Sequence, residues 1–246
     1  MKKVISLTTV LALIVSMLSV LPSVGAVSEN PVKLIYAKPA YTVGGIGAKG
    51  YVEVENIAYE KSVTIHYSFN GTDWYDAAAE YYKPTHGNYE AWEFETTGIE
   101  RPGHDSAVVI QFAIKYEVNG ATYWDNNDGQ NYSVYSGYHA PDFYDIGVGG
   151  IVDYYSSKTG NTVNGAVQLK NLGYEKDVKI IFTTDNWETS NTVDAEYDYT
   201  SYFKNYIETW KYSFTVDSED EIQYKLSYTV NGTTYIDDNF GNYYTV

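Results

Sequence analysis

Asn56-Ile57-Ala58-Tyr59-Glu60-Lys61-Ser62-Val63-Thr64-Ile65-His66-Tyr67-Ser68-Phe69 carries two signals at once. From Val63 onward apolar and polar residues alternate, so Val63, Ile65, Tyr67 and Phe69 fall on one side of an extended chain and Thr64, His66 and Ser68 on the other. A period of two marks a half-buried strand of an antiparallel sheet. The opening eight residues also recur, as Asn171-Leu172-Gly173-Tyr174-Glu175-Lys176-Asp177-Val178, with five of the eight positions identical. Further on, Val118-Asn119-Gly120-Ala121-Thr122-Tyr123-Trp124-Asp125-Asn126-Asn127 returns as Val230-Asn231-Gly232-Thr233-Thr234-Tyr235-Ile236-Asp237-Asp238-Asn239. Order is kept at a spacing of 112 to 115 residues, so the repeating unit is a whole domain.

Other stretches read the same way. Phe112, Ile114, Tyr116 and Val118 alternate with Gln111, Ala113, Lys115 and Glu117, and turn signals stand at Asn70-Gly71, Gly87-Asn88, Pro102-Gly103 and Asn119-Gly120. No helical apolar stripe interrupts them. Short strands over about a hundred residues per copy predict an all-β chain of two tandem immunoglobulin-like β-sandwich domains, residues 30–136 and 140–246, with a closed barrel as the alternative. A short linker, Ser136 to Asp142, should restrict their relative motion. Ahead of them, Lys2 and Lys3, the apolar run Val10 to Leu21 and the small-residue end Val24-Gly25-Ala26 predict a cleaved signal peptide over residues 1–26. The run is shorter than the roughly 20 residues of a spanning helix, so no membrane insertion is expected and the protein is placed outside the cell, secreted or held at the surface.

Charge and composition exclude several functions. With 16 Lys and Arg against 32 Asp and Glu in 246 residues, the chain carries a formal charge of -16 and repels nucleic acid and anionic lipid. The absence of Cys removes disulfides, thiolate metal sites and a Cys nucleophile. His104-Asp105-Ser106 is no triad, because adjacent residues of an extended chain point apart. No spacing pairs the acids as a glycosidase needs. Asp125-Asn126-Asn127-Asp128-Gly129 begins like a calcium loop, yet Gly129, Gln130 and Ser136 stand at the fifth, sixth and twelfth positions, where an EF-hand needs Asp or Asn, Gly and Glu. The expectation is a protein that is not an enzyme and uses no cofactor or metal.

The 28 Tyr and 5 Trp point elsewhere. A pyranose ring has an apolar face that packs on an aromatic plane, and hydroxyls that Asn and Asp can bridge. Trp92 and Trp210 lie on alternating stretches and read as core. Trp74 follows the turn Asn70-Gly71-Thr72-Asp73 and Trp124 precedes Asp125-Asn126-Asn127, which makes both loop-borne platforms for a ligand.

Asn56-Ile57-Ala58-Tyr59, Trp74 in its turn, Asn88-Tyr89-Glu90, Phe112-x-Ile114-Lys115-Tyr116-Glu117-Val118, Tyr123-Trp124-Asp125-Asn126-Asn127 and Asn131-Tyr132 together resemble a starch-binding module of carbohydrate-binding family 21. That family includes the starch-binding domain of fungal glucoamylases and the glycogen-targeting subunits of protein phosphatase 1. The resemblance implies a sandwich with two α-glucan sites. For the first it implies Trp74 and Trp124 as platforms, with Asp125, Asn126, Asn127 and Asn131 as hydroxyl partners or loop-formers; the family often has a further aromatic where this chain has Ala113. For the second it implies Tyr59, Tyr89 and one of Tyr81 or Tyr82, with Lys61 and Glu90 as polar neighbours. In copy two it keeps Tyr174 and Trp187, matches Tyr206 to Tyr89, and leaves the last aromatic open among Tyr197, Tyr199 and Tyr202. Ile236 replaces Trp124, so the first site of copy two should be weak or absent. The function implied is a secreted, non-catalytic protein that binds α-glucan, whether starch, glycogen or maltooligosaccharide, with amylolytic enzymes as candidate associates. The alternatives are an adhesive or scaffold protein of the cell surface that binds another protein, and a glycogen-targeting adaptor of a phosphatase or amylolytic enzyme.

Overall fold

A computed structural model describes residues 30–103, 105–137, 141–217 and 221–246. The segment read as a signal peptide, His104 and linker residues 138–140 lie outside them. Among the described residues there is no helix. Copy one comprises β1 (Val32–Thr42), β2 (Gly45–Glu55), β3 (Lys61–Ser68), β4 (Trp74–Pro84), β5 (Tyr89–Glu95), β6 (Val108–Val118), β7 (Ala121–Asp125) and β8 (Tyr132–Ser136). After a short β9 (Asp145–Ile146), copy two comprises β10 (Ile151–Thr159), β11 (Thr162–Lys170), β12 (Lys176–Thr183), β13 (Asn191–Asp194), β14 (Glu196–Thr200), β15 (Ile207–Thr215), β16 (Gln223–Val230), β17 (Thr233–Asp237) and β18 (Tyr244–Thr245).

Each copy is a sandwich of two antiparallel sheets. In copy one β1-β2-β5-β4 form one sheet and β4-β3-β6 with β7 and β8 the other; the long strand β4 crosses between them, pairing β3 through Ala78 and β5 from Ala79 on. Copy two makes the same crossing with a broken strand, β13 on β12 and β14 on β15, separated at Ala195. Alternation explains the core: Val63 and Ile65 face inward beside Ile110, Phe112 and Ile114 in copy one, as Val178 and Ile180 do beside Tyr224, Leu226 and Tyr228 in copy two. The cores use Tyr where most proteins use Phe, and two of the deepest phenols find backbone acceptors: Tyr116 donates to the carbonyl of Glu55 at 2.7 Å and Tyr228 to that of Lys170 at 2.9 Å. Burial pushes both phenols up to about 12.

Residues 143–146 depart from the division drawn from the sequence. They hydrogen-bond to copy one, Phe143 bridging Tyr135 and β9 pairing Tyr36 and Ala37 of β1, where the edge strand of the sheet offers backbone groups to pair. Tyr144, Ile146, Val152 and Ile207 then form a third buried cluster between the copies. On the other side of the contact Phe240 of copy two packs 4.6 Å from Tyr51 and 5.3 Å from Tyr82, Lys83 donates to the Phe240 carbonyl, and Asn242 donates to the Tyr82 hydroxyl at 3.0 Å. The copies are packed against one another rather than strung on a tether.

Near that contact two acids lie half-buried. Asp153 accepts from the Tyr224 hydroxyl at 2.9 Å, and Asp237 accepts from Tyr244 at 2.7 Å. Loss of water pushes Asp153 up to about 7 and Asp237 to about 6. Both folded values exceed the unfolded carboxylate value, so between about pH 4 and 7 the native state holds more protons and its stability falls as pH rises. We expect Asp153→Asn to flatten the fall in melting temperature between pH 5 and 8, by at least about 2 kcal/mol of pH-dependent stability. An unchanged slope in thermal melts would contradict this.

Candidate functional site

The outer face of the β4-β3-β6-β7 sheet gathers the residues read as a first site. His66 lies opposite Asp76 on β4 and Ala113 on β6, while Trp124 lies opposite Lys115. Trp74 is the first residue of β4, opposite Ser68, and Trp124 is the fourth of β7, so both sit on strands and not in loops. A turn of five residues, Phe69 to Asp73, lets β4 begin early enough to give Trp74 strand neighbours. Those neighbours include His66, whose ring stacks on Trp74 with centroids 4.9 Å apart and planes 9° apart, and meets Trp124 edge-on at 6.1 Å. Trp124 keeps 46% of its surface exposed.

Asp125, Asn127 and Asn131 build the adjoining loop. Asp125 accepts from the Tyr132 hydroxyl at 2.8 Å and from the Leu34 backbone at 2.9 Å, Asn126 accepts from the Gly129 backbone at 3.0 Å, and Asn127 donates to the Asn131 carbonyl at 3.3 Å. Asn127, Asp128 and Asn131 hold positive φ, a conformation that Asn and Asp tolerate better than most residues. These hydrogen bonds shape the loop beside Trp124.

A second group stands at the β2-β3 loop. Tyr59 is 93% exposed, and Tyr174, its counterpart, 99%. Two residues along, Lys61 pairs with Glu90 at 2.7 Å and Glu90 also accepts from the Trp92 indole at 3.2 Å; both ionic side chains are largely buried. Copy two repeats this with Lys176, Glu208 and Trp210 at 3.2 and 2.9 Å. Lys61 and Glu90 are therefore struts beneath the tyrosine loop. Against Trp92 lies Tyr81, edge-on at 6.2 Å and 53% exposed; against Trp210 lies Tyr197, edge-on at 6.0 Å. Tyr82 is committed to the contact with copy two, so Tyr81 is the available aromatic of the pair. The sequence alone could not separate them, because a register shift between Tyr81 and Lys83 sends neighbouring residues to unexpected faces. Tyr89 packs on His86, rings 5.2 Å apart.

Copy two differs in ways the sequence only half disclosed. Trp187 has a positive φ, its ring packs 4.4 Å from Tyr243, and the Lys225 ammonium sits 5.1 Å over it, so it does not stand free as a platform. Tyr206 lies two residues before Glu208, whereas Tyr89 lies one before Glu90, so Ile207 occupies the place of Tyr89. The Tyr206 hydroxyl turns instead to Lys204 at 3.1 Å, in the contact between the copies. Of Tyr197, Tyr199 and Tyr202 it is Tyr197 that meets Trp210, and the recurring Glu-x-Trp spacing was the signal for the unread Glu208 beside that indole.

The profile of the carbohydrate/starch-binding module family 21 matches residues 30–135 and again 151–246. Over 102 residues the chain is 39% identical to glucoamylase 1 of Rhizopus oryzae, covering 39% of this chain and 15% of that protein. Over 89 residues it is 43% identical to protein phosphatase 1 regulatory subunit 3B of Danio rerio, covering 35% and 29%. The chain thus spans less than a third of the length of either relative. Among solved structures, the starch-binding domain of Rhizopus oryzae glucoamylase in complex with beta-cyclodextrin and maltoheptaose aligns at 35% identity and a TM-score of 0.33, over 43% of this chain and 92% of that one. Two profile matches in tandem account for most of the residues, and the chain belongs to the carbohydrate/starch-binding module family 21.

Proposed function

We propose that this protein is an exported, non-catalytic holder of α-glucan, secreted or kept at the cell surface, that grips glucose polymers by aromatic stacking. Trp74 and Trp124 form one contact on copy one, and Tyr59 with Tyr81 and Tyr174 with Tyr197 form one on each copy. The observation that carries the reading is the pair Tyr59 and Tyr174, almost fully exposed at the same place in both copies, each above a buried Lys-Glu-Trp strut. Folding alone gives no reason to hold a large aromatic in water twice over, whereas sugar stacking does.

Protein phosphatase 1 regulatory subunits among the relatives raise the adaptor reading. The docking element such an adaptor needs, basic-x-Val-x-Phe, has its nearest matches at Lys61 to Ile65 and Lys176 to Ile180, where Val63, Ile65, Val178 and Ile180 are buried in β3 and β12. A partner could not reach them without unfolding the sheet. Co-sedimentation with insoluble starch, with detection of reducing ends, tests the proposal: the chain should pellet with the starch and release no reducing sugar. Release of sugar would make it an enzyme, and failure to pellet would favour a protein ligand.

Roles within copy one should separate cleanly. Trp124→Ala is expected to weaken maltooligosaccharide binding by about 1–3 kcal/mol with little change in melting temperature, the size of other aromatic stacking contacts. Trp92→Ala should lower stability by about 3–5 kcal/mol, because it empties packing against the core and removes the indole donor to Glu90, which keeps Lys61. Equal damage to the two melting curves would contradict this division.

A further inference from the structure

The face that holds Trp74 and Trp124 has a gap at Ala113, from which no large side chain can reach a sugar. His66 lies directly opposite Ala113 on the neighbouring strand and therefore on the same face. Its imidazole is parallel to Trp74 at 4.9 Å and perpendicular to Trp124 at 6.1 Å, so the three rings make a right-angled corner in place of two isolated platforms. The ring is fixed there by Asp76, whose Oδ1 lies 2.7 Å from Nδ1. A carboxylate oxygen accepts, which places the hydrogen on Nδ1 and leaves Nε2 as a free acceptor in the neutral ring. The side chain is 38% exposed, so the ring is not sealed under the two indoles.

We propose that His66 is a sugar-contacting residue of this site, its ring supplying the third aromatic that Ala113 withholds and its Nε2 accepting a hydrogen bond from a glucose hydroxyl. The inference rests on the reading of Trp74 and Trp124 as an α-glucan platform. Copy two supplies an internal contrast. Ile181 and Lys225 stand at the places of His66 and Ala113, no ring corner forms, and the Trp187 ring is turned to Tyr243 and Lys225.

The experiment uses the full chain with Tyr59→Ala and Tyr174→Ala in the background, so that maltoheptaose binding, followed by calorimetry, reports the Trp74-Trp124 face. His66→Ala should weaken binding about tenfold or more, and His66→Phe, which keeps a stackable ring and loses Nε2, should fall between His66→Ala and the parent. Both should melt close to the parent, since the side chain lies on an outer face. A purely structural prop for Trp74 would be restored fully by Phe, so parental affinity in His66→Phe overturns the hydrogen bond. Parental affinity in His66→Ala, with binding lost in Trp124→Ala, overturns the whole inference and leaves the platform standing. Parental affinity in Trp124→Ala as well overturns the platform reading beneath it.

Discussion

Lys204→Ala is expected to lower stability by about 3–5 kcal/mol, a drop of roughly 10 °C in melting temperature for a chain of this size. Lys204 and Asp145 are both almost wholly buried, and their ion pair is set between the copies. Asp145 also accepts from the Ser133 backbone at 2.8 Å, so this one carboxylate ties β8 of copy one to the β14-β15 loop of copy two. Removal of water pulls the Lys204 ammonium below the usual lysine range, with the charge of Asp145 opposing the shift. Taking away the lysine leaves a buried carboxylate with no cation, which costs far more than the net value of the intact pair. Denaturant unfolding measures it. A cost under about 1 kcal/mol would mean that water reaches Asp145 and that the contact between the copies is looser than its packing implies.

The second large effect concerns the polymer. Tyr174→Ala in the full chain should leave maltoheptaose affinity within about twofold of the parent, because the contacts on copy one are untouched. Retention on granular starch should fall by at least roughly 10², since two contacts on one chain act at a high effective concentration only when one long ligand spans both. The packed arrangement of the copies sharpens the prediction, for it holds Tyr59 and Tyr174 at a fixed separation instead of letting a linker search. Unchanged retention on granules would show that the geometry does not allow both copies to engage the same surface.

Much of this architecture is written in local periodicity. Val63 to Phe69 dictates a strand with one buried face wherever it folds, and the recurrence of Asn56 to Val63 at Asn171 to Val178 dictates that it happens twice. Tyr59 and Tyr174 came only from the family resemblance; their exposure follows from their place in the loops before β3 and β12, where no alternation buries them. What stayed hidden depends on irregularity or on partners distant in sequence. The register shift beside Tyr82 decides which tyrosine faces solvent, and one extra residue moves Tyr206 out of line with Tyr89. His66 reads as an ordinary polar position in an alternating strand, and only the pairing of β3 with both β4 and β6 sets it between Trp74 and Trp124. The return of residues 143–146 to copy one uses the edge of a sheet, which no motif in those residues announces.

The most direct test of α-glucan binding is electrophoresis of the full chain through native gels cast with soluble starch or glycogen, beside the variant carrying Tyr59→Ala, Trp74→Ala, Trp124→Ala and Tyr174→Ala together. The parent should be retarded strongly, and the fourfold variant should run as in a gel without polysaccharide while keeping a cooperative melt. Equal mobility of parent and variant in both gels, or equal retardation, would contradict the account.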